Sequence, residues 1–188
     1  MSHLVTQNVD GLHQRAGSRD VIDLHGRVDS VSCLSCRLRL PRAPLQVWLE
    51  KHNPGFARLA GVIAPDGDAD VDDLDHSTMR VPDCEHCGGI LKPDAVFYGD
   101  SIPTVRAEQA ETAMQAATGL LVVGSSLMTY SGYRFCLWAQ AQDKPIVIIN
   151  NGKTRGDELA TAKVGGSCSE VLEQWLAHVE PDRFTDVG

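Results

Sequence analysis

Two cysteine pairs constrain this chain more than any other feature: Cys33-Leu34-Ser35-Cys36 and, beyond a long insertion, Cys84-Glu85-His86-Cys87-Gly88-Gly89. Each Cys-x-x-Cys turn offers two thiolates from one tight loop, and two such turns can surround a single zinc ion tetrahedrally. Four sulfurs close the coordination shell, so the expected metal is structural; a catalytic zinc keeps one position open. Thioredoxin-type chemistry would need one such turn at a helix start, not two flanking an insertion. Metal ligands are therefore expected at Cys33, Cys36, Cys84 and Cys87, with Gly88-Gly89 forming a turn that glycine adopts cheaply.

Length and composition set the frame around that module. A chain of 188 residues, 43% hydrophobic and 22% charged, can bury a core as one domain carrying a small extra module. The net charge of -8 argues against nucleic acid or an anionic membrane as partner, since both favour clustered Lys and Arg. A lysine-bearing protein substrate is compatible with it. No apolar run reaches membrane-spanning length, and Met1-Ser2-His3-Leu4-Val5-Thr6 lacks a basic region followed by an apolar one. Cys136 and Cys168 lie in different settings and suggest no disulfide framework, so a reducing cytoplasm is expected.

Along the chain, Leu4-Val5-Thr6 reads as a short strand that ends in the polar cluster Gln7-Asn8-Val9-Asp10-Gly11. Ligands of open α/β sheets bind just past the carboxyl ends of strands. Val21-Ile22-Asp23-Leu24-His25-Gly26 is a second apolar stretch, and it presents one imidazole beside a glycine. Imidazole suits proton acceptance near neutral pH, although a lone histidine is more often a structural or surface group. Between the cysteine pairs, Leu45–Leu49 reads as a short helix ending near Asn53-Pro54-Gly55. The stretch Ala64–Asp75 has the alternating aspartates of a calcium loop but no closing Glu, so a solvated acidic loop is expected. Leu91–Asp100 is extended by character, either a connection or a strand edge offered to a peptide.

A helix is expected from Pro103, with Val105, Ala110, Ala113, Met114 and Ala117 on its apolar side. Leu120-Leu121-Val122-Val123 follows as a fully apolar strand, of the kind parallel sheets bury on both faces, and breaks into Gly124-Ser125-Ser126. That turn is either an ordinary strand end or one where glycine admits a ligand to the backbone and serines bond phosphate or ribose. The pattern repeats through a helix bearing Tyr133, Phe135, Leu137, Trp138 and Ala141 to the strand Pro145–Ile149 and Asn150-Asn151-Gly152. Two such units make a doubly wound parallel sheet the economical architecture. A closing helix has Ser167 and Glu170 at capping-box spacing and Val171, Leu172, Trp175, Leu176 and Val179 on one face, while Cys136 reads as a core thiol.

In order along the chain, Thr6–Gly17, Asp23-Leu24-His25-Gly26, the four cysteines, Leu91–Asp94 through Gly99-Asp100, Val123–Leu127 and Ile149-Asn150 resemble a sirtuin. Ser131–Phe135 and Ala64–Asp68 further resemble the class II, sirtuin-four-like branch. The resemblance implies an α/β fold with a Rossmann-like NAD-binding domain over residues 1–30 and 91–188 and a zinc-binding module inserted at 31–90. It implies NAD-dependent removal of acyl groups from protein lysine, giving nicotinamide and O-acyl-ADP-ribose, with NAD as co-substrate and structural zinc. His25 would be the general base, drawing a proton from the NAD ribose once the acyl oxygen has attacked the anomeric carbon. Gln7, Asn8, Val9 and Asp10 would line the ribose and nicotinamide pocket, and Gly124, Ser125 and Ser126 the phosphate and adenosine side. Asn150, Asn151 and Gly152 would meet the adenosine ribose, and the backbone at Cys168 the adenine. Val96, Phe97, Tyr98 and Gly99 would wall the acyl-lysine channel. In the family a Gly-rich phosphate loop and a Pro-Asp-Phe-Arg segment precede the Gln-Asn-Val-Asp motif, where this chain has six residues. An N-terminally incomplete Rossmann-like domain is therefore expected, and the alternative is a truncated, catalytically inactive module that binds acyl-lysine or a partner. Asp23, Ala95 and Asn151 stand where the family more often has Glu, Val and an apolar residue.

Overall fold

A computed structural model describes residues 3–56, 62–63, 69–70 and 75–179. The acidic stretch 64–75, apart from Ala69, Asp70 and Asp75, lies outside the described residues, as does the branch motif at 64–68. The chain divides into two compact units, Val5–Ile102 and Pro103–Gly188, the latter with Met1–Leu4.

The first unit begins with β1 (Leu4–Thr6), which pairs with β2 (Val21–Asp23), the two being separated by the single helical turn α1 (Leu12–Arg15). After a two-residue turn, β3 (Gly26–Cys33) becomes the centre of an antiparallel sheet, flanked by β4 (Arg39–Pro41) and β7 (Leu91–Ala95). Its pairing with β7 slips between Arg27 and Val31: Arg27 faces Asp94, and the next partner of β7, Pro93, faces Val31. The bulged residues turn away from β7, and Val28 donates instead to the Val9 carbonyl at 3.0 Å. Leu24, Val31, Cys33, Cys84 and Ala95 are buried together with the polar Thr6 and Asn53.

Helix α2 (Arg42–His52) starts three residues before the expected Leu45, because Pro44 falls in its first turn, where a missing N–H breaks no intrahelical bond. It ends at Asn53, whose amide bonds the Leu49 carbonyl at 2.9 Å. Between α2 and β7 lie the short paired segments β5 (Val62–Ile63) and β6 (Ala69–Asp70).

The second unit is the parallel α/β part of the chain. Its three strands, β8 (Leu120–Val123), β9 (Ile146–Ile149) and β10 (Ala162–Val164), run parallel in the order β10-β9-β8. Helices α3 (Thr104–Ala116) and α4 (Tyr130–Gln140) precede β8 and β9, and α5 (Cys168–Val179) follows β10. Central β9 behaves as its apolar run demands, with Ile146, Ile148 and Ile149 buried. In β8 only Val122 is buried, while Leu121 and Val123, which alternate with it and so share the opposite face of the strand, stay exposed.

Ala110, Ala113 and Met114 face the core as expected, but Val105 is exposed. Five residues before Ala110, it lies well off that stripe at 3.6 residues per turn. On α4 the buried residues are Gly132, Phe135, Cys136 and Ala139, so Cys136 is a core thiol, its acidity weakened by burial. The apolar face of α5 exists as a pattern yet Leu172, Trp175, Leu176 and Val179 remain exposed. Among the described residues no helix is long and apolar enough to cross a membrane.

Candidate functional site

Cys33 closes β3 and Cys36 ends the turn that follows, while Cys84 and Cys87 form the second turn ahead of β7. The turns have the same internal logic. The Arg37 amide bonds the Cys33 carbonyl at 3.1 Å, and the Cys87 and Gly88 amides bond the Cys84 carbonyl at 3.2 and 2.7 Å. They are tied to each other through Leu34, whose amide reaches the Ile90 carbonyl at 2.9 Å. Gly88 has φ +71°, and a Cβ on Gly89 would sit 2.9 Å from the Cys33 sulfur, so each glycine of the pair is required for its own reason.

The four sulfurs lie within 4.8 Å of one another. Zinc bonded tetrahedrally to sulfur at about 2.3 Å puts the sulfurs about 3.8 Å apart. The Cys33–Cys87 and Cys36–Cys84 separations, 3.5 and 3.9 Å, bracket that value. The acidity of the thiols points the same way. The Cys36 backbone amide, working against burial and joined by the Ser35 amide, pulls the Cys33 thiol down to about 6. The Gly89 amide favours a Cys87 thiolate, but the sulfurs of Cys36, Cys33 and Cys84 and desolvation outweigh it and push Cys87 up to about 12. Thiolates this close repel one another, and a divalent cation is what allows all four to ionise together. The donor set fits structural zinc.

In the same unit, His25 occupies the turn between β2 and β3, half-buried between the buried Leu24 and Gly26. Its carbonyl accepts the Val96 amide at 2.8 Å, which fixes the histidine turn to the segment leaving β7. That segment carries half-buried Val96 and exposed Phe97, Tyr98 and Gly99, with Tyr98 fully exposed. Past the end of β1, Asn8 donates its amide to Thr6 Oγ1 at 3.1 Å, Val9 gives its carbonyl to Val28, and Asp10 Oδ1 accepts the Leu12 amide at 2.9 Å. Gln7 is half-buried and Asp10 exposed. The structure thus brings Val96 to His25 and folds Gln7–Asp10 into one polar turn.

In the second unit the parallel strands deliver their carboxyl ends to one side. Gly124 follows β8 with φ +63° and bonds the Ile149 carbonyl at 2.9 Å. Ser125 Oγ accepts the Leu127 amide at 3.2 Å, and the Ser126 carbonyl accepts the Arg155 amide at 2.9 Å. Asn150 follows β9, its amide bonding the Val164 carbonyl at 3.1 Å and its side chain the Gly152 carbonyl at 3.1 Å. Cys168 opens α5 there: its Sγ lies 3.5 Å from the Ile149 carbonyl oxygen, and a Cβ on Gly124 would stand 3.5 Å from that sulfur. Gly124, Asn150 and Cys168 converge, while Asn151 and Gly152 stay exposed. An exposed glycine at the carboxyl edge of a parallel sheet, where no side chain blocks approach to the backbone, fits a nucleotide cofactor.

Sequence reasoning assigned no role to several groups that organise these segments. Lys92 and Asp100 pair at 2.9 Å across the Phe97–Gly99 loop. Asn53 bonds the Leu49 and Arg80 carbonyls and the Arg80 amide, which ties the end of α2 to the segment leading into Cys84. Asp157 gathers Thr154 and Lys163 beneath the Asn150 turn. The flanking of an aromatic pair by Lys92 and Gly99-Asp100 was a signal; the long reach of Asn53 to Arg80 left none.

The profile described as "Sir2 family" matches residues 1–131. The chain belongs to the Sir2 family. It is 54% identical over 169 residues to an NAD-dependent protein deacetylase of Xanthomonas axonopodis pv. citri (strain 306), covering 90% of this chain and 58% of that protein. It is 53% identical over 171 residues to an NAD-dependent protein deacetylase of Bordetella bronchiseptica (strain ATCC BAA-588 / NCTC 13252 / RB50), covering 91% and 62%. This Sir2-family chain therefore spans about three fifths of the length of those relatives. Among solved structures, "Sir2-p53 peptide-NAD+" superposes with a TM-score of 0.74 at 27% identity, over 97% of this chain and 65% of that one. "Sir2 bound to acetylated peptide" gives 0.74 at 27% identity, over 95% and 64%.

Proposed function

We propose that this protein removes acyl groups from protein lysines at the expense of NAD, giving nicotinamide and O-acyl-ADP-ribose. The observation that carries the reading is the identity of more than half the aligned residues with NAD-dependent protein deacetylases over nine tenths of the chain. Supporting it, the backbone bond from Val96 to His25 holds the expected base beside the expected substrate segment. When bound, NAD supplies the electrophilic anomeric carbon that accepts the acyl oxygen. The chain's own residues bind and orient. Gln7, Asn8, Val9 and Asp10 would surround the nicotinamide ribose in one unit. In the other, Gly124, Ser125 and Ser126 would hold phosphate, Asn150, Asn151 and Gly152 the adenosine ribose, and the Cys168 backbone the adenine. His25 would accept a ribose hydroxyl proton. Val96, Phe97, Tyr98 and Gly99 would line the acyl-lysine channel, with strand-like backbone bonds to the peptide. Positive charge develops at the ribose as nicotinamide leaves, so placement and water exclusion count for more than a strong acid.

The same reading takes zinc on Cys33, Cys36, Cys84 and Cys87 as structural, and residues 31–90 as a module inserted in a Rossmann-like domain over 1–30 and 91–188. Ser131–Phe135 favours the class II, sirtuin-four-like branch. Its partners are acyl-lysine proteins, its compartment the cytoplasm, and neither nucleic acid nor membrane is a partner. The test is nicotinamide release from NAD in the presence of acetyl-, succinyl- and lipoyl-lysine peptides. Release is expected to require peptide, and His25→Ala is expected to abolish acyl removal while zinc stays bound. Retained turnover in His25→Ala removes the role of His25. Peptide binding by the zinc-bound wild type with no NAD consumed leaves a binding module instead.

A further inference from the structure

The loop that follows β7 has little apolar packing to hold it: Phe97 is half exposed, Tyr98 wholly so, and Gly99 adopts φ +90°. One cation reaches both of its ends and its ring. Lys92 Nζ donates to the Ala95 carbonyl oxygen at 2.6 Å, pairs with the Asp100 carboxylate at 2.9 Å, and stands 4.3 Å from the centre of the Phe97 ring. The same Asp100 oxygen accepts the Phe97 amide at 3.2 Å, and the Asp100 amide returns to the Phe97 carbonyl at 2.9 Å. An isolated exposed ion pair holds little, but here the ammonium bonds the residue before the segment, the residue after it and a ring within it. The Asp100 carboxyl is accordingly held below the usual carboxylate range, first by Lys92 and then by the Phe97 amide.

We propose that Lys92 is the positioning residue of the segment Val96–Gly99, holding the Phe97 ring and the Gly99 turn in the conformation that receives the acyl-lysine peptide. The inference rests on the reading that this segment meets the substrate. Without the cation, the segment samples many conformations and is ordered only on binding, a cost that appears as lost affinity. Lys92 touches no reacting atom in this account. Its effect is on how the peptide is met.

The experiment measures the Kd of a fluorescent acetyl-lysine peptide for wild type, Lys92→Met, Lys92→Arg and Asp100→Asn, all zinc-replete, alongside amide hydrogen exchange of each. Lys92→Met is expected to raise Kd about tenfold and Lys92→Arg to stay within about threefold of wild type, the scale of ordering a short loop. Asp100→Asn keeps an acceptor for the Phe97 amide but loses the ion pair, and falls between them. Exchange at Phe97 and Asp100 rises in Lys92→Met while that at Cys84 and Cys87 does not, an effect that general destabilisation would not confine. Wild-type peptide affinity in Lys92→Met and Asp100→Asn overturns the proposal and leaves the substrate reading standing. No peptide bound by wild type, with loop exchange still raised in Lys92→Met, removes the substrate reading and this proposal with it.

Discussion

Gly89→Ala tests how tightly the two cysteine turns are fitted. An added methyl group would stand 2.5 Å from Ser35 Oγ, 2.8 Å from Ser35 Cβ and 2.9 Å from Cys33 Sγ. The hydroxyl can rotate away. The Ser35 Cβ and the Cys33 sulfur cannot move without displacing the first turn, and the Gly89 carbonyl is itself fixed by the Cys84 amide at 2.8 Å. Overpacking of this kind costs about 1–3 kcal/mol. The strain falls on the geometry that gathers the sulfurs, so most of it is expected in zinc affinity, a loss of roughly fivefold to a hundredfold at about 1.4 kcal/mol per factor of ten. Ser35→Gly in the same chain removes two of the three close contacts and is expected to recover most of the loss, a non-additivity that marks direct contact. The assay is zinc competition against a chromogenic chelator, with thermal unfolding of the holo-protein beside it. Wild-type zinc affinity and thermal midpoint in Gly89→Ala would refute the close fit of the turns.

Asn53→Ala removes the buried side chain that bonds both the amide and the carbonyl of Arg80, and is expected to destabilise the protein by about 1–2 kcal/mol in urea unfolding; a change within about 0.5 kcal/mol, usual for surface sites, contradicts this. Zinc content is expected near one per chain, and chelation is expected to abolish cooperative unfolding, because structural zinc supplies on the order of 10 kcal/mol. A folded protein with an empty cysteine cluster contradicts that. Asp157 is held down at about 2, first by Lys163 and then by the Thr154 hydroxyl. Its folded value lies below the unfolded one, so its stabilisation is complete above the ordinary carboxylate range and lost as pH falls through about 2. In an NMR titration Lys163→Met is expected to raise the Asp157 midpoint; an unmoved midpoint contradicts the pairing.

Much of the fold was legible because local rules and tertiary demands agree. Paired Cys-x-x-Cys spacing has one economical use, and the sulfurs do gather. Leu120–Val123 and Ile146–Ile149 are apolar runs too short for helices, and both are parallel strands. Burial was less legible, since periodicity marks a face without saying what lies against it. The stripe on α5 is there, but Leu172, Trp175 and Leu176 are exposed, and β8 buries one residue where its composition suggested burial on both sides. Long-range polar ties left no local signature at all. The Asn53 side chain meets Arg80 across 27 positions, and the three residues that β3 loops out opposite Asp94 and Pro93 follow from a bulge that no alternation announces. The site divides likewise: motif residues such as His25 and Gly124 stood out by type and position, whereas Lys92 matters for what its ammonium reaches.

The central claim is best tested by following the acyl group itself. The protein, zinc-replete, is incubated with NAD and an acetyl-lysine peptide, and the products are resolved by mass spectrometry. The account predicts that acetyl leaves on ADP-ribose, one equivalent per nicotinamide released, and that His25→Ala forms no acetyl-ADP-ribose. Acetate released as the free acid without nicotinamide would contradict it, because the bond would then have been cleaved by water alone.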